Sequence, residues 1–282
     1  MLSIKFELLK NPNLWGYISL YSCKVIIEKV EEIAEEKQKV MNMLEKAKIP
    51  YDKINRILEN IQQALLNCGY EVKSVNIKAK SFTLVGGSGT FGKLPFEVGL
   101  HFEPILNIPY IPGSTIKGAI RAGVFDLLLQ KGKTEEEAET ECRKLFGDNE
   151  IAGLIGFTDA YPIKEGVEGK LLYPDVMSPH YTKDTITELN VLPKPVIYPV
   201  IAPGTEFKFY LFYKKERGKR KLVVKDSQNS DLVETSIQDI NKLGIVDLGL
   251  LYSFYRGIGA KTSIGYSRFE ILSYENVGKK NE

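Results

Sequence analysis

Three short stretches of this sequence have the residue types and spacing to hold a phosphate. Gly87-Ser-Gly-Thr-Phe-Gly92 matches the glycine pattern with which a strand-to-helix turn cradles a pyrophosphate. Gly257-Ile-Gly-Ala-Lys-Thr262 ends like a phosphate loop, in Lys-Thr behind glycines. Ile111-Pro-Gly-Ser-Thr-Ile-Lys-Gly-Ala-Ile-Arg121 spaces Ser114, Lys117 and Arg121 three and then four residues apart, which is one helix face. The first stretch fails as a nucleotide site. Pro95 pushes Leu94 out of helical geometry where the helix must begin, and no acid follows about twenty residues on to meet a ribose. The second is no ATPase loop, because Tyr255 and Ala260 stand where its two glycines belong.

Both surviving motifs still suit a nucleic-acid backbone. Gly257 and Gly259 can bare backbone N–H groups beside Arg256, Lys261 and Thr262. The alternative is a glycine-stopped helix that simply enters a strand. In the other motif, Ser114 or Thr115 can cap a helix whose positive dipole end favours an anion, and Gly118 leaves its face open. Here the alternative is an ordinary amphipathic helix with solvated Lys117 and Arg121.

Residues for acid–base or metal chemistry are few. Only His101 and His180 exist. His101 lies in an apolar-flanked extended segment and reads as structural, while His180 beside Tyr181 reads as a turn residue able to stack on a base. Asp159 and Asp175 can hold a hard cation only if the fold joins them and supplies a third ligand. Cys23, Cys68 and Cys142 form no Cys-x-x-Cys pair, so three buried free thiols in a reducing compartment are expected. No metal and no cofactor are expected.

The 38 basic and 36 acidic side chains leave a net charge of +2 across 282 residues. That excludes a polybasic protein whose whole surface binds nucleic acid, but not a local basic groove. With 43% apolar and 26% charged residues, the chain has the composition of a globular protein with a sizeable core. Neither a signal peptide at Met1–Lys10 nor a membrane-spanning run is legible, and a cytoplasmic location is expected.

The elements that must carry these motifs follow from periodicity. Residues 1–70 read as a helical extension packed on the core: one helix through Ile26–Ala47, stopped by Pro50, and one opened by Asp52 and ended at Gly69. The acid-rich run Glu28–Glu36 is a solvated face or a docking surface. A strand at Val75–Leu84 with a bulge near Lys80–Ser81 comes next, followed by a glycine loop and an extended, proline-marked segment. Helices are expected from Ser114 and from Thr134, where Glu137 completes a capping box and Gly147 closes the turn. A short strand follows at Leu154–Thr158. Seven of the thirteen prolines lie in 162–203, which reads as a long loop insertion. A strand at Phe207–Tyr213, a basic turn at Lys214–Lys221 with a hairpin partner Leu222–Val224, a helix at Leu248–Tyr255 and a strand at Tyr266–Leu272 complete the chain. Without the extension and the insertion, the order is strand, helix, strand, strand, helix, strand. That predicts an α+β, ferredoxin-like (RRM-like) domain over 71–275 with a 276–282 tail, whose sheet is a common RNA-binding platform.

Taken together, the Ile111–Arg121 and Gly257–Gly265 stretches make the sequence resemble the RAMP superfamily of CRISPR effector proteins. Phe146-Gly147, Gly156-Phe-Thr-Asp-Ala-Tyr-Pro162, Asp175 and Ser178-Pro-His-Tyr181 narrow the resemblance to the sixth-subunit family of type III-B Cmr complexes, over about residues 75–272. Ser267 departs from it where the family commonly has a third glycine.

The resemblance implies a non-catalytic subunit that holds the 3′ part of a guide (CRISPR) RNA and the guide–target RNA duplex. Its partners would be other Cmr subunits: a backbone RAMP protein, the small helical subunit and a neighbouring head RAMP protein, with no membrane. By matching position it assigns RNA binding to Gly113, Ser114, Thr115, Lys117, Arg121, Arg256, Gly257, Gly259, Lys261 and Thr262. A possible RNA or subunit contact falls on His180, Tyr181 and Lys183, within a protrusion at Asp175–Leu192. Related backbone subunits carry a cleaving aspartate in the loop after the first strand. Gly86–Phe96 holds no carboxylate, so no nuclease activity is expected. An RNA-processing RAMP endoribonuclease and a protein-only scaffold stand as alternatives.

Overall fold

The computed structural model describes residues 13–28, 33–87, 91–177, 195–214 and 244–278. The basic turn beyond Lys214 and its expected hairpin partner lie outside them, as do His180, Tyr181, Lys183 and the side chains of Glu28–Glu36.

The central strand β1 (Tyr70–Ala79) is antiparallel to both of its neighbours, β8 (Glu206–Lys214) and β9 (Phe269–Val277). A short strand β4 (Ile155–Phe157) extends β8 on its other edge, giving the path β4-β8-β1-β9. The next strand, β5 (Tyr161–Lys164), pairs with β8 beside β4. Opposite Asn76 and Ile77 the register of β9 slips from Ser273 to Ile271, which leaves Leu272 as the extra residue of a bulge. The irregularity therefore lies in the last strand and not at Lys80–Ser81.

Period-two alternation assigns the two faces. Val75, Ile77 and Ala79 of β1 and Phe207, Phe209 and Leu211 of β8 are buried in one core. That core is closed by α5 (Gly113–Gln130) and α7 (Ile245–Arg256), with α6 (Glu135–Phe146) behind α5. Phe254 of α7 stacks on Phe209 at 5.9 Å and meets Phe269 edge-on at 5.6 Å. The two helices cross at small residues: a Cβ on Gly123 would lie 2.3 Å from Ser253 Oγ, and one on Gly249 2.4 Å from Val124 Cγ2.

On the opposite face, α3 (Tyr51–Asn67) lays Ile54 and Leu58 on Val72 and Tyr210, with Tyr70 and Phe212 packed around them. Of the aromatic side chains that β1 and β8 offer to that face, Tyr210 is buried and Tyr70 and Phe212 are half-buried. Ser74, Asn76 and Lys78 of β1 and Glu206, Lys208 and Lys214 of β8 occupy the rest of it. An exposed aromatic platform, the usual way such a sheet binds RNA, is absent from these two strands.

Several local expectations are corrected. Within and before Ile26–Ala47 the described helices are α1 (Leu14–Glu28) and α2 (Ile33–Leu44), whose Leu14, Ile18, Val40, Met41 and Leu44 join the main core. The N-cap of α3 is Pro50, and Asp52 lies inside its first turn without capping it. Lys93–Phe96 makes one helical turn, α4, after left-handed Gly92, despite Pro95. Between short strands β2 (Phe102–Glu103) and β3 (Ile108–Pro109) the chain only turns. The proline-rich segment is no loop where it is described. Beyond β5, β6 (Leu172–Met177) and β7 (Val196–Ile201) pair over six residues, with prolines 174 and 199 facing each other in register. Cys23 and Cys68 are exposed, and only Cys142 is buried. By contrast, α6 starts as read: Thr134 Oγ1 accepts from Glu137 N–H and the Glu137 carboxylate accepts from Thr134 N–H.

Candidate nucleic-acid interface

The first half of the candidate interface is the start of α5. Neither Ser114 nor Thr115 caps it; Pro112 is the N-cap and the helix begins at Gly113. The Gly113 N–H donates to Asp159 Oδ1 at 2.7 Å, across 46 residues of sequence. A Cβ on Gly113 would lie 2.5 Å from the Phe157 carbonyl oxygen, so this glycine serves close packing on β4. The positive end of the helix dipole is therefore already met by the protein's own carboxylate. Ser114 is exposed, Lys117 and Thr115 are half-buried, and open space surrounds Gly118. Arg121 is ion-paired with Glu139 of α6.

The second half is the loop between α7 and β9. Arg256 ends α7 with its guanidinium 2.8 Å from Asp126 Oδ2 and 3.0 Å from the Tyr252 hydroxyl. Asp126 is twelve residues beyond Ser114 on α5, or about 18 Å along the axis at ~1.5 Å per residue. Asp126 is also turned about 140° around the axis from Arg121, so Arg256 lies toward the far end of α5 from Ser114 and off the Ser114–Lys117–Arg121 face.

Gly257 (φ +112°) and Gly259 (φ +126°) have conformations that side chains rarely adopt, and both are hemmed in by backbone. A Cβ on Gly259 would stand 2.5 Å from the Leu84 carbonyl oxygen. The loop is laced to the approach to β9 and to the segment after β1: Ile258 N–H donates to Ser267 O at 2.9 Å and Ala260 N–H to Leu84 O at 2.8 Å. Ser267 takes the left-handed conformation (φ 57°) that a glycine would, fully buried, and its hydroxyl accepts from Leu84 N–H at 3.1 Å. Lys261 is left-handed too (φ 60°) and leads into a short 3-10 turn, Thr262–Ile264. Among the described residues, the N–H groups of Gly259, Lys261, Thr262 and Ser263 meet no backbone acceptor. A left-handed residue followed by helical ones points such groups to one side, the geometry of an anion nest.

A third group was not legible as part of the site. Lys261 Nζ donates to the Tyr198 hydroxyl at 2.5 Å and lies 4.4 Å from the centre of that ring and 5.3 Å from that of Tyr266. Tyr198 and Tyr266 both donate to Asp175 Oδ2. Burial, and then the bond to Asp175, pushes both phenols above their ordinary range, Tyr198 far above it. Asp175 sits opposite Tyr198 in the β6–β7 ladder. Asp159 and Asp175 are thus engaged with different partners, and no group of three candidate metal ligands occurs among the described residues. His101 is half-buried against Gly86 and 5.9 Å from the Tyr110 ring. Two large apolar side chains flank the loop in the open, Tyr255 at 55% exposure and Ile264 at 68%, a signal available only from the fold.

The RAMP superfamily model matches residues 76–270, which span β1 through the glycine-rich loop into β9. That defines the class. The chain is 33% identical over 230 residues to the CRISPR system CMR subunit Cmr6 of Saccharolobus solfataricus, covering 82% of this chain and 68% of that protein. It is 26% identical over 223 residues to Cmr6 of Pyrococcus furiosus, 61% of each chain. The structure also superposes on a chain of the type III-B Cmr-beta complex bound to cognate target RNA, with a TM-score of 0.71 and 28% identity over 94% of this chain and 93% of that one. This protein belongs to the Cmr6 family of the RAMP superfamily.

Proposed function

We propose that this chain is a non-catalytic RNA-holding subunit of a type III-B CRISPR effector complex in the cytoplasm, gripping the 3′ part of the guide RNA and its duplex with target RNA. The observation that carries this reading is the set of N–H groups at Gly259 and Lys261–Ser263 that meet no backbone acceptor among the described residues, in a loop that also bears the Lys261 side chain. Such a nest takes phosphates without regard to base. With Tyr210 buried under α3 and Tyr70 and Phe212 packed half-buried around it, the loops are the better place for RNA. Lys117 and Ser114 extend the grip along α5. Arg121 and Arg256 join it by exchanging carboxylates for phosphates. The Arg256 pair is exposed and the Arg121 pair partly so, and exposed pairs hold by only about 0–1 kcal/mol. Tyr255 and Ile264 supply apolar contact for bases. The strand order supports a ferredoxin-like domain over 71–275, preceded by a helical extension and interrupted at 162–203 by an insertion that would meet duplex or a neighbouring subunit.

Crosslinking of RNA within the assembled complex, mapped to residues, tests the reading, and contacts are expected at Ser114–Arg121 and Arg256–Thr262. Replacing Lys117 and Arg121 by Ala should lower the slope of log affinity against log salt by about 1.4, at ~0.7 per phosphate contact on single strands. An unchanged slope, or crosslinks confined to other surfaces, would overturn the assignment. Cleavage of repeat RNA by the purified chain, lost in Asp175→Ala or His180→Ala, would instead establish a nuclease. Assembly without any RNA crosslink would establish a protein-only scaffold.

A further inference from the structure

We infer that Asp175, Tyr198 and Tyr266 are positioning residues for RNA binding, which hold the Lys261 ammonium at the mouth of the glycine-rich loop. The inference rests on the reading of that loop as an RNA contact. Its geometry is independent of that reading. Asp175 and Tyr198 face each other across the β6–β7 ladder, so the backbone itself fixes the carboxylate beside the phenol. Tyr198 is fully buried, and its hydroxyl has one orientation that satisfies both neighbours: it donates to Asp175 Oδ2 and accepts from Lys261. Tyr266 closes the cluster by donating to the same Oδ2. The ammonium also rests over both rings, which attract a cation through their faces.

A free lysine loses rotamer freedom when it is immobilised on a ligand. Here much of that ordering is complete on folding. An ammonium has three donors, and Tyr198 takes one, which leaves two for a phosphate oxygen. A chain of bonds ending on a carboxylate also polarises each of its members in the same sense. Lys261 stands 63 residues beyond Tyr198, so the network ties the β6–β7 hairpin and the glycine-rich loop into one binding unit.

The test is a double-mutant cycle in the reconstituted complex, read as guide-RNA affinity across a salt series. Lys261→Ala should weaken binding on the order of tenfold, the usual worth of a charge-assisted hydrogen bond. Tyr198→Phe keeps the buried ring and removes the hydroxyl; it should weaken binding several-fold, and adding it to Lys261→Ala should cost nothing more. Asp175→Asn, which keeps an acceptor oxygen, should bind better than Asp175→Ala. Wild-type affinity in Tyr198→Phe while Lys261→Ala is impaired would overturn the positioning role alone. So would losses that add in the double variant, the signature of general structural damage. Unimpaired binding in Lys261→Ala would overturn the loop reading and this inference with it.

Discussion

Gly259→Ala is the sharpest probe of the glycine-rich loop, because it separates backbone strain from lack of space. At φ +126° an alanine is strained by about 1–3 kcal/mol. Its Cβ would stand 2.5 Å from the Leu84 carbonyl oxygen, 3.1 Å from Val85 Cγ2 and 3.3 Å from Ser267 Oγ. Backbone cannot yield as the tip of a flexible side chain can. The loop must lift from the segment after β1, which breaks the 2.8 Å bond from Ala260 N–H to Leu84 O at a cost of about 1 kcal/mol. Lower entropy of the unfolded chain returns about 0.4–1 kcal/mol. The net loss is about 1–3.6 kcal/mol. At roughly 2–4 °C per kcal/mol for a protein of this size, Tm should fall by about 2–14 °C. Gly265→Ala is the internal control. Its φ of +92° is also positive, but nothing lies within 4 Å of the added Cβ, so strain alone remains. Thermal unfolding of both variants should show the larger fall for Gly259→Ala, with RNA affinity reduced in that variant. Equal falls would refute the claim that contact with the Leu84 carbonyl excludes a side chain there.

Three further outcomes follow from other contacts. Ser267→Ala keeps the left-handed strain and strips Leu84 N–H of its partner, a loss of about 1–3 kcal/mol, whereas Ser267→Gly relieves about 1–2 kcal/mol of strain while losing the same bond. Urea midpoints should therefore run wild type, then Gly, then Ala, and an Ala variant as stable as the Gly variant contradicts the account. Asp159→Ala should cost about 1 kcal/mol through the lost bond to Gly113 N–H, and Asp159→Asn less, while neither weakens RNA binding, since each removes an anion from the helix start. A loss of RNA affinity in Asp159→Asn would show that the carboxylate does more than cap. Burial holds the phenols of Tyr161, Tyr210 and Tyr213 up at about 12, against an ordinary 10.0. Because the folded values are raised, their stabilisation is complete below about pH 10 and is lost as pH climbs from 10 to 12. The urea midpoint should hold level to pH 10 and then fall, together with a late rise in tyrosinate absorbance at 295 nm; full ionisation by pH 11 in the folded protein would contradict this.

Local chemistry was legible in the sequence wherever neighbours in the chain decide the structure. The Thr134–Glu137 capping box, the left-handed stop at Gly69 and the alternation of Phe207 to Tyr213 need only short-range rules. What periodicity could not show is the partner brought in from far along the chain. Glu139 on Arg121, Asp126 on Arg256 and Asp159 on Gly113 turn three apparently free anion-binding groups into engaged ones. The β6–β7 ladder escaped because prolines argue against strands, yet Pro174 and Pro199 pair opposite each other in a ladder apart from the main sheet. For the same reason Asp175 was legible as a motif residue, while its phenol partners were not.

The helix laid over the sheet has a consequence for what the molecule can discriminate. Aromatic platforms favour some bases over others, because stacking strength differs from base to base. With Ile54 and Leu58 laid on Val72 and Tyr210, the sheet contributes little of that preference, and RNA held as we propose is felt chiefly through its sugar-phosphate chain. One unchanged protein could then serve guides of every sequence equally well, with all discrimination left to base pairing.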